Sequence, residues 1–191
     1  MDELLSLHRV NAERFSRLVH RVGPPDDPAW QRPTPCSEWT VRDLVNHLTS
    51  EQLWAPELLA GRTVAEVGDR FDGDVLGDDP VAAWDAAVAA ALAAFAEPGA
   101  PGRTVDLSRG PTAAHDYLDE MLTDLAVHGW DLARGLGAED AMDPATVDRL
   151  LVEWSGRTAE LGPGPVFAGP LDVAVDADQQ TRLLALFGRR A

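Results

Sequence analysis

The chain has 191 residues, 45% hydrophobic and 25% charged, which is ordinary globular usage and favours one domain over two. Its 16 basic residues, all Arg, face 32 acidic ones for a net charge of −16, so a polyanion is repelled and nucleic acid and anionic membrane are excluded as partners. A single cysteine, Cys36, cannot form an internal disulfide, Met1-Asp2-Glu3 is acidic where a secretory signal is basic, and no uncharged apolar run approaches the ~20 residues of a membrane span, so the expected location is cytoplasmic.

Leu4, Leu5, His8, Ala12, Phe15, Leu18, Val19 and Val22 recur at helical spacing and predict a first helix over 2–22, stopped by Gly23-Pro24-Pro25. A loop rich in Pro and Asp follows as far as Trp39. Thr40 then caps a second helix, with Asp43 at its third position and Val41, Leu44, Val45 and Leu48 as its stripe. Residues 61–79 are rich in Gly and Asp and read as loop. Pro80 opens a third helix with the stripe Trp84, Val88, Ala91, Leu92 and Phe95, closed by Pro98. A short strand is expected at 103–107. A long fourth helix, carrying Ala114, Leu118, Met121, Leu125 and Leu132, is expected from Gly110-Pro111-Thr112 to Gly135. Asp143-Pro144 caps a fifth over 144–161, ended by Gly162-Pro163-Gly164-Pro165, and a last amphipathic piece covers 177–187. With no alternating-strand pattern of useful length, the fold class is all-α, an antiparallel four-helix bundle with additional C-terminal helices. The expected organisation is one bundle over 1–191, with 163–191 as a C-terminal extension packed on it.

Asp124 and His128 are four apart on the fourth helix, so both side chains point the same way and can reach one ion. A third ligand must come from another helix. His47 is the candidate, because at ~100° per residue it falls to the same side of its stripe as the pair does of theirs. All three are expected to flank the core, leaving a pocket along one edge with two neutral imidazoles, a carboxylate and an open coordination position. A lone D-x-x-x-H also arises by chance, and the plainer reading is a solvated Asp124 and a hydrogen-bonded, partly buried His47. Glu120 and Asp131 share that side as orienting partners or, by preference, as solvating charges. Glu51, Trp54 and Tyr117 are candidate pocket walls. Cys36 stands just ahead of a helix N-terminus but is read as structural. His8 is expected to be a hydrogen-bonded core residue, and His20 and His115 have no evident partner. No H-E-x-x-H, C-x-x-C, P-loop, G-x-G-x-x-G or G-x-S-x-G occurs, so hydrolase, kinase and dinucleotide readings lack a handle.

Two segments, Pro33-Thr34-Pro35-Cys36-Ser37-Glu38-Trp39-Thr40-Val41-Arg42-Asp43-Leu44-Val45-Asn46-His47-Leu48 and Val127-His128-Gly129-Trp130-Asp131-Leu132-Ala133-Arg134, are distinctive together. They resemble the metal-binding domain of the mycothiol-dependent maleylpyruvate isomerase family, within the DinB/YfiT-like superfamily of four-helix metalloproteins, and the likeness covers most of the chain. Thr181 to Arg189 resembles the ending of stand-alone, uncharacterised members. The resemblance implies a divalent metal, usually zinc, with nickel, manganese or iron as alternatives. It is held by a histidine of the second helix and by an acidic or histidine residue plus a histidine four apart on a later helix, places that His47, Asp124 and His128 occupy. In the isomerase the carboxylate is a glutamate, where this chain has an aspartate. The isomerase also has a further C-terminal domain supplying an arginine to the active site, which this chain is expected to lack.

A metal with one open position lowers the pKa of a bound thiol. The expected function is therefore a cytoplasmic divalent-metal-dependent enzyme that activates a low-molecular-weight thiol, mycothiol as cosubstrate, for transfer or isomerisation on a small-molecule substrate. The alternative is a non-catalytic metal-binding or sensing bundle that recognises a small ligand or protein partner. The sequence sets no oligomeric state, a homodimer being one option.

Overall fold

The apolar stripes become the inward faces of four long helices. The computed structural model describes residues 2–157 and 169–191. In chain order it contains α1 (Asp2–Val22), α2 (Val41–Leu59), the single turn α3 (Val64–Val67), α4 (Pro80–Ala96), a hairpin of β1 (Thr104–Leu107) and β2 (Gly110–Ala113), α5 (Ala114–Leu136), α6 (Pro144–Ser155) and α7 (Gln179–Leu186). α1 and α2 each pack against both α4 and α5, so they occupy opposite corners of the bundle. Leu4 and Leu7, early in α1, share a core cluster with Leu58 and Leu59 at the end of α2, Phe95 at the end of α4 and Leu118 near the start of α5. Phe15, Leu18 and Val19 share the other cluster with Val41 and Leu44 at the start of α2, Trp84 on α4 and Leu132 late in α5. Hence α1 and α5 run one way and α2 and α4 the other. This is the expected all-α bundle of four long helices, with α6 and α7 added at the C-terminal side.

Three boundaries differ from expectation, each for a local reason. Residues 110–113 form β2 and do not open the fourth helix. Gly110, at φ 108°, turns a hairpin in which Leu107 pairs with Gly110 and Thr104 with Ala113, and this buries Val105 to 1% exposure. The loop 61–79 contains α3, because Thr63 and Glu66 form a reciprocal cap around a single turn. The fifth helix stops at Ser155 with Gly156 as its cap, short of 161. Its expected terminator, Gly162-Pro163-Gly164-Pro165, lies outside the described residues. Beyond them α7 packs on α6, and Leu183, Leu184 and Phe187 join the core. Among the described residues no helix is long and apolar enough to cross a membrane.

Candidate metal centre

The start of α2 is fixed by a capping box: the Asp43 amide donates to the Thr40 hydroxyl at 3.2 Å and the Thr40 amide to the Asp43 carboxylate at 2.9 Å. Two turns on, His47 faces α5. Its neighbour Asn46 donates to the Gly73 carbonyl at 2.8 Å and accepts from the Val75 amide at 2.9 Å, which ties the 61–79 loop down beside the site. From α5, Asp124 and His128 project toward His47. One donor-type atom from each of the three residues lies within 4.8 Å of the other two. His47 Nε2 is 3.8 Å from Asp124 Oδ2, and the two imidazole rings are 5.4 Å apart, edge to face. The helices expected to be neighbours are so, and the three side chains expected to converge do.

Only two of the three flank the core. The His47 and Asp124 side chains are 19% and 20% exposed, whereas that of His128 is wholly buried. A stripe drawn on one helix omits what the rest of the chain lays over it. Trp39 covers this side, its ring 4.9 Å from His47 and 5.8 Å from His128. The loop that carries Trp39 docks on the last turn of α5 at Gly135, where a Cβ would meet the Pro33 carbonyl and the Thr34 methyl at 3.2 Å. Just before Trp39, Glu38 holds φ 70°, a left-handed conformation costly for a residue with a Cβ, which turns the chain so that the indole lies over the site.

Asp131 is not a solvating charge. It is fully buried and accepts from His128 Nδ1 at 3.0 Å. It also accepts two prongs of Arg189, Nε at 3.1 Å and Nη2 at 2.8 Å. A carboxylate engaged by a guanidinium can only accept, so the His128 proton in this bond sits on Nδ1. Arg189 comes from the chain terminus, 58 residues after Asp131, and no local spacing signals it. Cys36, His128 and Asp131 form a second converging set, all buried. Asp131 is already committed to Arg189 and His128, so this set is a hydrogen-bonded support beneath the first. Burial pushes the Cys36 thiol up from its ordinary pKa, against the opposing pull of Arg189.

The remaining acidic groups gather one turn away. Glu51 follows His47 by four residues on α2, and Glu120 precedes Asp124 by four on α5. Burial, reinforced by the charge of Asp124, pushes Glu51 up to about 7. Burial also raises Glu120, which pairs with Arg109 at the tip of the hairpin. Burial alone pushes His47 down, but Asp124 and Glu51 outweigh it and hold the imidazole above its ordinary value. Glu51, Trp54, Tyr117 and Glu120, with Leu58 and Arg109, line a cavity of about 250 Å³ beside the three converging residues.

The other histidines lie elsewhere. His8 is 1% exposed, and neither of its ring nitrogens has a hydrogen-bond partner among the described residues, contrary to the satisfied imidazole expected there. His20 pairs with Asp85 at 2.9 Å, and His115 lies 3.7 Å from Asp119.

A four-helix bundle with two imidazoles and a carboxylate meeting between two neighbouring helices defines a class of helical proteins with a candidate cation centre. The model of the mycothiol maleylpyruvate isomerase N-terminal domain matches residues 11–133, and the chain belongs to that family. Two uncharacterized proteins of Mycobacterium tuberculosis, from strains CDC 1551/Oshkosh and H37Rv, are each 36% identical over 175 residues, covering 89% of this chain and 84% of theirs. Among solved structures, a histidine-to-alanine mutant of the mycothiol-dependent maleylpyruvate isomerase superposes with a TM-score of 0.64 at 17% identity, over 88% of this chain and 73% of that one. That likeness establishes the shared fold.

Proposed function

We propose that the chain is a divalent-metal-dependent enzyme that activates a low-molecular-weight thiol of the mycothiol type for transfer or isomerisation, with His47, Asp124 and His128 as the metal ligands. The observation that carries this reading is the convergence of three donor atoms within 4.8 Å, one of them a buried His47 Nε2 that makes no hydrogen bond among the described residues. A buried imidazole nitrogen left without a partner is costly in a folded protein unless something else fills its place. Two imidazoles and one carboxylate fit zinc with a coordination position to spare, and nickel, manganese and iron accept the same donors. Bound there, the cation would supply Lewis acidity that lowers the pKa of a thiol docked against it.

The protein's own residues supply the rest. Asp131 and Arg189 hold the His128 imidazole in one tautomer and orientation. Trp39 shields the two imidazoles from water on one side. The raised pKa of the Cys36 thiol leaves it a poor nucleophile, so the reacting thiol is an external one. In this reading the protein works in the cytoplasm, where such thiols are kept reduced, and residues 1–191 act as one unit completed by the C-terminal extension.

Metal content of protein purified without chelator or nickel resin tests the first half. Metal-dependent consumption of an electrophile together with mycothiol tests the second. Retention of metal with a tight thiol complex and no turnover would replace the enzyme by a binding bundle; absence of metal would remove both.

A further inference from the structure

The cavity between α2, α5 and the hairpin tip is built for a ligand, and its lining restricts the charge that ligand can carry. Trp54, Leu58, Val64, Leu107 and the Tyr117 ring give it an apolar body. Tyr117 is 4% exposed, and its hydroxyl is buried without a hydrogen-bond partner among the described residues. Burial, with the charges of Glu51, Glu120 and Asp124, holds that phenol well above its ordinary pKa, so it remains an O–H donor at neutral pH. A buried donor left unmatched in an apolar hollow is the kind of group a bound molecule satisfies.

Charge decides the rest. Among the described lining residues Arg109 is the one cation, and it already pairs with Glu120; Arg157, whose charge also acts on Glu120, is paired with Glu153, and Glu51 adds a second carboxyl group. Asp124 lies one turn beyond. A carboxylate placed here would meet carboxyl groups with no uncommitted lining cation to balance it. The geometry points to this cavity as the binding site of an uncharged molecule with an apolar body and a carbonyl-type acceptor, which takes its hydrogen bond from Tyr117. That lining disfavours di- and monocarboxylates as its occupants. The role of that molecule as the second reactant of thiol chemistry rests on the metal reading above; its binding does not.

Cinnamamide and cinnamate have nearly the same shape and differ in charge, so they make a direct test. Each is titrated into zinc-free full-length protein, followed by the NMR shift of the Trp54 indole N–H, because a bound cation would attract cinnamate for reasons unrelated to the cavity. Cinnamamide is expected to bind at least ten times more tightly than cinnamate. Tyr117→Phe, which removes a hydroxyl that makes no hydrogen bond among the described residues and so leaves the fold intact, is expected to weaken cinnamamide about fivefold to tenfold. Trp54→Ala, which lacks the reporting indole and is followed by the ligand's own NMR signals, should weaken cinnamamide as well. Cinnamate binding as tightly as cinnamamide, binding of neither, or an unchanged affinity in Tyr117→Phe would each overturn the assignment. A parallel zinc titration keeps the two readings apart: cinnamamide binding without zinc binding defeats the metal centre alone, and zinc binding without cinnamamide binding defeats the cavity alone.

Discussion

Asp124 is the one carboxylate among the three converging side chains, so under the proposed metal reading the hold on a doubly charged ion depends on it more than on either imidazole. Asp124→Ala should cut zinc affinity by more than the ~10–100-fold typical of losing an orienting partner. The fold should survive, because the side chain is 20% exposed and contributes little apolar burial. Glu120 is committed to Arg109 and should not substitute, so Asp124→Ala with Glu120→Ala should behave like the single replacement. Zinc retained by both variants after dialysis would return Asp124 to an ordinary surface charge. Cys36 should be inert: a buried thiol with a raised pKa is slow toward a thiol reagent such as dithionitrobenzoate until the protein unfolds. Cys36→Ser should leave metal content unchanged, and rapid labelling of the native protein would contradict this. The three converging residues were legible because a four-residue spacing on one helix and a matching flank on another are local patterns. The burial of His128 and the role of Asp131 were not, since both depend on Trp39 and Arg189 arriving from elsewhere in the chain.

At the scale of elements, the stripes and caps that the sequence displays are the ones the bundle uses, because burial of one face and satisfaction of the first-turn amides are local demands. Asp2–Val22 ends where Gly23-Pro24 begins, and Thr40 with Asp43 opens α2 as a capping box. The hairpin was half hidden: β1 follows from Thr104-Val105, but Pro111 imitates a helix start, and only the pairing of Val105 with Thr112 overrules it. α1 carries a further consequence. His8 packs edge-on against Phe95 of α4, 5.3 Å between ring centroids, and burial lowers its pKa from 6.5 to about 4. Between those two values the unfolded chain binds a proton that the folded chain refuses, so stability is fully present above pH 6.5 and declines as the pH falls toward 4. At about 1.4 kcal/mol per unit, the loss between pH 6.5 and 5 is on the order of 2 kcal/mol. Urea denaturation of the wild type and His8→Leu at pH 7 and pH 5 measures it. The variant should lack this part of the acid sensitivity; identical pH dependence in the two proteins would remove His8 as its source.

For the whole molecule, the candidate centre is assembled from three distant stretches: the loop and first turns of α2, the middle of α5, and the chain terminus. The last of these ties global stability to the candidate centre. Arg189 is 5% exposed, its backbone amide donates to the Leu184 carbonyl at 2.9 Å, and its side chain donates both to the Phe187 carbonyl and to Asp131. Removing the guanidinium with Arg189→Ala leaves the Asp131 carboxylate buried with His128 as its remaining hydrogen-bonding side chain among the described residues, a loss of about 3–5 kcal/mol for a broken buried pair. Arg189→Lys keeps the charge but not the two-pronged contact, so it should fall between the wild type and Ala. A purely structural clamp would stop there. If the terminus also sets His128, zinc affinity measured by competition with a chelating dye, under conditions where each variant remains folded, should drop about 10–100-fold in Arg189→Ala and similarly in Asp131→Asn, which weakens the same hydrogen bond from the other side. The two losses should not add in the double variant, because each breaks one chain of contacts, Arg189 to Asp131 to His128. Stability lost with zinc affinity unchanged would confine Arg189 to holding α7 in place and leave the orientation of His128 to α5 itself.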